Sequence, residues 1–174
     1  KDMAVKVFTL GLSKIEVGNI ADDGGMGTTL EQLGYTNKDS ATLTMEVPEK
    51  TEFFAEEVDD PVLVSKKAGA ITIAFDIMNP SPEVLQKVMG GTISKSEGSQ
   101  ENDKWEAPST VQDIELSMKV TPKQGFVFDI PRASISANLT GNFAAGSLLL
   151  VHVEAKVLAP TKANTSKLTL TKLA

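Results

Sequence analysis

The sequence predicts a mainly β protein: an antiparallel sandwich or barrel of about nine or ten strands with one short flanking helix, about residues 81–89. Two observations carry that prediction. Apolar and polar residues alternate with period 2 in segment after segment, and only one stretch breaks the pattern with helix-start and helix-stop signals. Period 2 with one apolar face marks strands half-buried in antiparallel sheets. Many short strands in one chain of ordinary domain length indicate a sandwich or barrel.

The alternation is strictest in three places. Ile71, Ile73, Phe75 and Ile77 face away from Thr72, Ala74 and Asp76. Ile114, Leu116, Met118 and Val120 oppose Asp113, Glu115, Ser117 and Lys119, and Leu149, Val151, Val153, Ala155 and Val157 oppose Leu150, His152, Glu154 and Lys156. Weaker versions occur at Val5–Leu10, Ala41–Val47, Glu52–Glu56, Phe126–Ile130, Ala133–Leu139 and Lys167–Leu173. In the exception, Ser81 offers an N-cap, Pro82 suits the first helical position, Glu83 complements the positive end of the dipole and Gly90 supplies a left-handed stop. Val84, Leu85 and Val88 make a short apolar stripe, so this helix is expected to plug an open end of the sheets. The whole chain, 1–174, reads as one domain with mobile loops at about 21–35, 44–62 and 94–103 and a C-terminal arm at about 161–174. The loop after Ile93 and before Trp105 reads as a hairpin excursion.

Composition narrows the function. The chain has no Cys, and one each of His152, Arg132, Trp105 and Tyr35. Disulfide frameworks, thiolate zinc sites and cysteine nucleophiles are excluded, and most catalytic sites and nucleic-acid readers lack their residues here. The expectation is no enzyme and no cofactor. No apolar run has the length of a membrane helix, so no membrane partner is expected, and the first residues do not form an intact signal peptide. Charge is uneven: residues 1–87 carry 8 Lys against 15 acids, whereas residues 88–174 carry 9 basic against 8 acidic residues. Seven acids lie between Glu46 and Asp60, and from Ala155 onward there are four Lys and no acid. An acidic segment and a basic tail suit attraction between copies.

Each candidate for chemistry has a plainer reading. His152 with Glu154 would make a base and its carboxylate, but on the polar face of a strand the pair reads as exposed sheet surface. Glu56-Glu57-Val58-Asp59-Asp60-Pro61 lacks the ligand spacing of a calcium loop and reads as a solvated acidic loop or an interface seeking Lys. Asp22-Asp23-Gly24-Gly25 reads as a turn, with no metal expected, and Gly24-Gly25-Met26-Gly27 lacks the Lys-Ser/Thr of a phosphate loop. Asn138-Leu139-Thr140 and Asn164-Thr165-Ser166 match the glycosylation pattern, which is common by chance. Trp105 is read as a plug and Arg132 as an ion-pair residue, with Asp129 one possible partner.

The order of blocks along the chain resembles the tail tube (major tail) proteins of tailed phages and prophages. The matching blocks are Ile20-Ala21-Asp22-Asp23-Gly24-Gly25-Met26-Gly27, the acidic Glu56–Val62 stretch, the strand at 70–78 and the helix ending Val88-Met89-Gly90-Gly91-Thr92. Trp105-Glu106-Ala107-Pro108, Lys123–Ala133 and the closing strand into Leu158-Ala159-Pro160 complete them. The resemblance implies a β-sandwich subunit that assembles with copies of itself, typically as hexameric rings stacked into a hollow tube. DNA would pass as non-specific cargo, and the other partners would be tail proteins such as a tape measure and a tail terminator or baseplate. The implied location is a virion tail assembled in the bacterial host cytoplasm. Interaction elements implied by the family's order are Ala21–Tyr35, Thr44–Val62 and Thr161–Ala174. From the charges we expect Glu56, Glu57, Asp59 and Asp60 to meet Lys162, Lys167 or Lys172 of a neighbouring ring. Alternatives from other classes are a carbohydrate-binding or adhesin-type sandwich using Trp105 and Tyr35, and an enzyme on a sandwich scaffold. A tube of a type VI secretion or contractile injection system is a related alternative.

Overall fold

Residues 7–95 and 103–173 are described by the computed structural model, in which one short helix and twelve strands form an antiparallel β fold. The strands are β1 (Leu10–Gly18), β2 (Glu31–Gln32), β3 (Thr42–Met45), β4 (Glu49–Ala55), β5 (Val58–Lys67), β6 (Ile71–Ile77), β7 (Thr92–Ser94), β8 (Lys104–Glu106), β9 (Ile114–Gln124), β10 (Phe126–Thr140), β11 (Leu150–Val157) and β12 (Thr169–Lys172), with helix α1 (Pro82–Met89) between β6 and β7. Eight of them make the main sheet, in the order β2-β1-β9-β10-β11-β6-β3, with β12 added beside β10.

The strongest alternating segments became the centre of that sheet. Ile71, Ile73, Phe75 and Ile77 of β6 are buried, as are Val151, Val153, Ala155 and Val157 of β11, with Met118 and Ile130 facing the same core. The sheet is rolled: residues from β1 and β3, near its two ends, line one groove together. It is thus a barrel-like sheet with an unsealed seam.

A one-residue bulge bends β10 between Ile130 and Ala133, opposite β9. Pro131 sits there because it has no N–H to give a ladder. Its carbonyl accepts a bond from the Ser117 hydroxyl (2.6 Å), whose oxygen in turn accepts from the Gly27 N–H (2.9 Å). Ser117, fully buried, therefore ties the 21–27 turn to the bulge.

The helix starts and stops as its sequence requires. The Ser81 hydroxyl accepts from the Val84 N–H, Pro82 is first, and Gly90 follows with φ 77°. Val88 is buried, and the helix packs on β10, β7 and β8. Ile93 pairs with Trp105 across β7 and β8, so the expected excursion is a hairpin whose connection, at 96–102, lies outside the described residues.

Two expected loop or arm segments differ. The stretch expected as a loop at 44–62 contains the end of β3 and most of a two-stranded hairpin, β4–β5. The weak alternation at Ala41–Val47 and Glu52–Glu56 falls on β3 and β4, and the apolar residues Phe53, Phe54 and Val62–Val64 favour strand across the rest of the hairpin. Within the C-terminal segment, the alternation at Lys167–Leu173 is a strand: β12 pairs with the first half of β10, from Phe126↔Lys172 to Asp129↔Thr169, so this part of the arm lies on the sheet. The bend at the bulge exposes that half of the β10 edge beyond the end of β11, and β12 fills it.

Candidate assembly interface

The β4–β5 hairpin is the element that departs most from the rest of the molecule. Its strands run in register from Glu49↔Lys67 through Lys50↔Lys66, Thr51↔Ser65 and Glu52↔Val64 to Phe53↔Leu63, and Glu56-Glu57 forms the turn. Every residue of β5 is exposed, and so is all of β4 except the half-buried Ala55. Phe53 and Leu63, directly opposed, share one face, and Val64, opposite Glu52, lies on the other; beyond them the register shifts between Phe53 and Ala55, where Phe54 and Val62 are also exposed. The outer half of this arm thus carries exposed apolar side chains on both faces, beyond a charged base of Glu49, Lys50, Glu52, Lys66 and Lys67, and neither face rests on the core.

At the base, the Glu46 N–H donates to the Ala70 carbonyl (2.9 Å), and the Ala70 N–H donates to the Glu46 carboxylate (3.1 Å). Gly69 is required there, because a Cβ would stand 2.2 Å from the Glu46 carbonyl oxygen. The arm therefore leaves the sheet at the start of β6. At the other end of β6, Ile77 pairs with Val151, and the adjoining β10–β11 connection exposes Phe143, Leu148 and Leu149. Exposed apolar surface thus lies at both ends of the β6–β11 pair.

The acids expected to seek a partner are at the arm's outer end: Glu56 and Glu57 in the turn, Asp59 and Asp60 at the start of β5, all exposed. The lysines expected opposite them are dispersed. Lys162 is already paired with Asp23 (2.6 Å), and this ammonium, with the Gly25 N–H, holds the Asp23 carboxyl below its usual range. The Asp22–Gly25 segment is the expected turn, closed by Gly24 N–H to the Ala21 carbonyl (2.8 Å). Lys167 is half-buried before β12, and Lys172 is exposed on β12 opposite Phe126.

The remaining candidates have local partners. His152 Nδ1 lies 2.6 Å from the Asp76 carboxylate, directly across from it on β6. Glu154, expected as its partner, stands instead opposite Ala74. A directly opposed cross-strand neighbour is closer than a residue two along the same strand, which decides the pairing. Arg132 likewise meets Glu115 rather than Asp129, through two 2.8 Å bonds, and its third contact is the Ala159 carbonyl. Asp129 faces Lys119 across the ladder. Trp105 is half-buried, donating from Nε1 to the Gly90 carbonyl (2.9 Å), and so seals the end of the helix. Tyr35 is on a different element, at the rim of the seam groove. Among the described residues no cluster of three metal-ligating side chains occurs, and no helix is long and apolar enough to cross a membrane.

The residues that sequence reasoning missed are those of the seam and the arm's two faces. The doublet Phe53-Phe54 and the run Val62-Leu63-Val64 were the available signal, because consecutive apolar residues in a strand imply cover on both faces. Lys38 and Lys123, both at the seam groove, had no local signal in the sequence. No protein-family model matches the chain, and no curated protein does either.

Proposed function

We propose that this chain is a structural, non-enzymatic subunit that self-assembles into stacked rings forming a tube, as in a phage tail through which DNA passes. The observation that carries the reading is the β4–β5 arm, which exposes Phe53, Phe54, Val62, Leu63 and Val64 together, with Leu63 opposite Phe53 on one face and Val64 on the other. A two-stranded hairpin is marginal in water alone, and one apolar on both sides gains its stability when covered on both. A second copy is the simplest cover, since the subunit carries exposed apolar surface away from the arm as well, along the seam groove and on the β10–β11 connection. Contacts between unlike surfaces are heterologous, and they close into rings or propagate into tubes. The resemblance of the sequence blocks, in their order, to those of tail tube proteins points the same way. The acidic balance of −6 suits a conduit that does not grip the phosphates passing through it.

The test is light scattering across concentration and salt, with negative-stain imaging of each fraction, on the full chain and on a chain with 49–67 replaced by a short Gly-Ser turn. Rings or tubes with a central hole, lost on removing the arm, are the expected result. A full chain that stays monomeric at every concentration and salt, or that assembles equally well without the arm, overturns the reading.

A further inference from the structure

The arm's outer end combines four acids with apolar side chains on both faces, and the rolled sheet contains a groove of matching chemistry. The groove, about 720 Å³, opens along the seam between β1 and β3, over the core residues Ile15 and Ile73. Leu12, Leu43, Val120 and Phe128 give it apolar walls. Lys38 and Lys123 stand in its lining, both exposed and neither paired with an acid among the described residues. Asp39 is the one acid of that lining.

Both walls also carry unused backbone. Among the described residues, β1 pairs only with β9 over Leu10–Lys14, since β2 reaches no further than Glu16 and Val17. Among the same residues, β3 pairs only with β6. Two free strand edges flanking an apolar groove form a receptor for an added strand, where ladder hydrogen bonds supply affinity and side-chain pockets supply selectivity.

We infer that the seam groove of one subunit receives the outer end of the β4–β5 arm of another, with Phe53 and Phe54 against its apolar walls and Glu56, Glu57, Asp59 and Asp60 beside Lys38 and Lys123. This rests on the self-assembly reading and names the surface that the arm engages. The occupant is a second copy because of reach. β4 spans seven residues, so at about 3.3 Å per residue the turn stands roughly 20 Å beyond the base. Leu43 in the groove wall lies just before that base, yet no residue of β4 or β5 lines the groove and all of them but Ala55 are exposed, so a subunit's own arm does not occupy its own groove. The competing surfaces fit less well. Lys162 is held by Asp23, Lys172 on β12 is not among the residues that line the groove, and the β10–β11 connection has no charged residue to meet the acids.

The chain's lack of Cys makes a direct test clean. Double variants Glu57→Cys/Lys38→Cys, Glu57→Cys/Lys172→Cys and Glu57→Cys/Asn142→Cys are assembled, oxidised and run on a non-reducing gel. A ladder of crosslinked species is expected for the Lys38 pair, at least tenfold more abundant than for the other two. In parallel, Lys38→Glu/Lys123→Glu is expected to block assembly with an unchanged melting temperature, and Glu57→Lys/Asp59→Lys in the same chain to restore it. Tubes that form while the Lys172 or Asn142 pair crosslinks instead, or that ignore the Lys38/Lys123 reversal, overturn this inference and leave the self-assembly reading standing. A wild-type chain that never assembles overturns both.

Discussion

β6 and the β4–β5 arm adjoin in sequence and are both antiparallel, yet they obey opposite rules. In β6 every second residue is buried, and Phe75 is 1% exposed. In the arm no residue is fully buried, and Phe53 and Phe54 are 48% and 60% exposed. The lesson is that strand formation and burial are separable. The ladder of the arm satisfies its inward backbone groups, but a large share of its apolar surface has no use within the subunit. Where such surface sits on a protruding element, its function lies with whatever covers it.

The largest effect expected from this contrast separates folding from assembly. Phe75→Ala removes a side chain from the closed part of the core and should cost about 3–5 kcal/mol in denaturant-induced unfolding. Phe54→Ser should change monomer stability by less than about 0.5 kcal/mol, because an exposed side chain leaves no cavity. It should nonetheless abolish the tubes seen by negative stain. A Phe54→Ser chain that unfolds as readily as Phe75→Ala would mean that the arm packs on its own subunit.

The next contrast concerns polar groups. Ser117 is buried between two segments and uses its hydroxyl twice, whereas the polar residues of the arm face water. Ser117→Ala leaves the Gly27 N–H and the Pro131 carbonyl without that partner and should cost about 1–3 kcal/mol. Hydrogen exchange at the Gly27 amide should accelerate with it. Glu57→Gln in the turn of the arm should leave stability at pH 7 unchanged. Equal losses in the two variants would remove the distinction.

These contrasts also explain what the sequence made legible. The burial of Ile71–Ile77 and Val151–Val157 follows from period 2, and the helix from Ser81, Pro82 and Gly90, because these are local signals. Partners across the ladder are not local. Asp76 for His152 and Glu115 for Arg132 depend on register, which is set by bulges and strand order. The acidic half of the candidate interface was visible as a run of like charges in one segment. Its proposed counterpart was not, since Lys38 and Lys123 are 85 positions apart and meet at one groove only when the sheet rolls. The arm itself was half legible: its apolar doublet marks a strand, but nothing local says that the strand leaves the body.

The smallest effect is a pH dependence confined to the body of the subunit. Two hydrogen bonds from Arg132, then its charge, hold the Glu115 carboxyl below its ordinary range, against the opposing effect of burial. A carboxylate whose folded pKa is depressed adds stability that is fully present above its unfolded value. That contribution is lost as pH falls through the lower folded value. Because the Glu115 and Arg132 side chains remain 37% and 27% exposed, solvent screening keeps the contribution of the pair small. The stability gap between wild type and Glu115→Gln should therefore be measurable at pH 7 and shrink steadily on acidification below the ordinary glutamate range. Adding 1 M salt at pH 7 should narrow it too, as the Debye length falls to about 3 Å. If the Glu115→Gln gap were the same at pH 7 and pH 3, the bidentate pair would be packing by its apolar stems, not by charge, and the body would owe its acid sensitivity to other carboxylates.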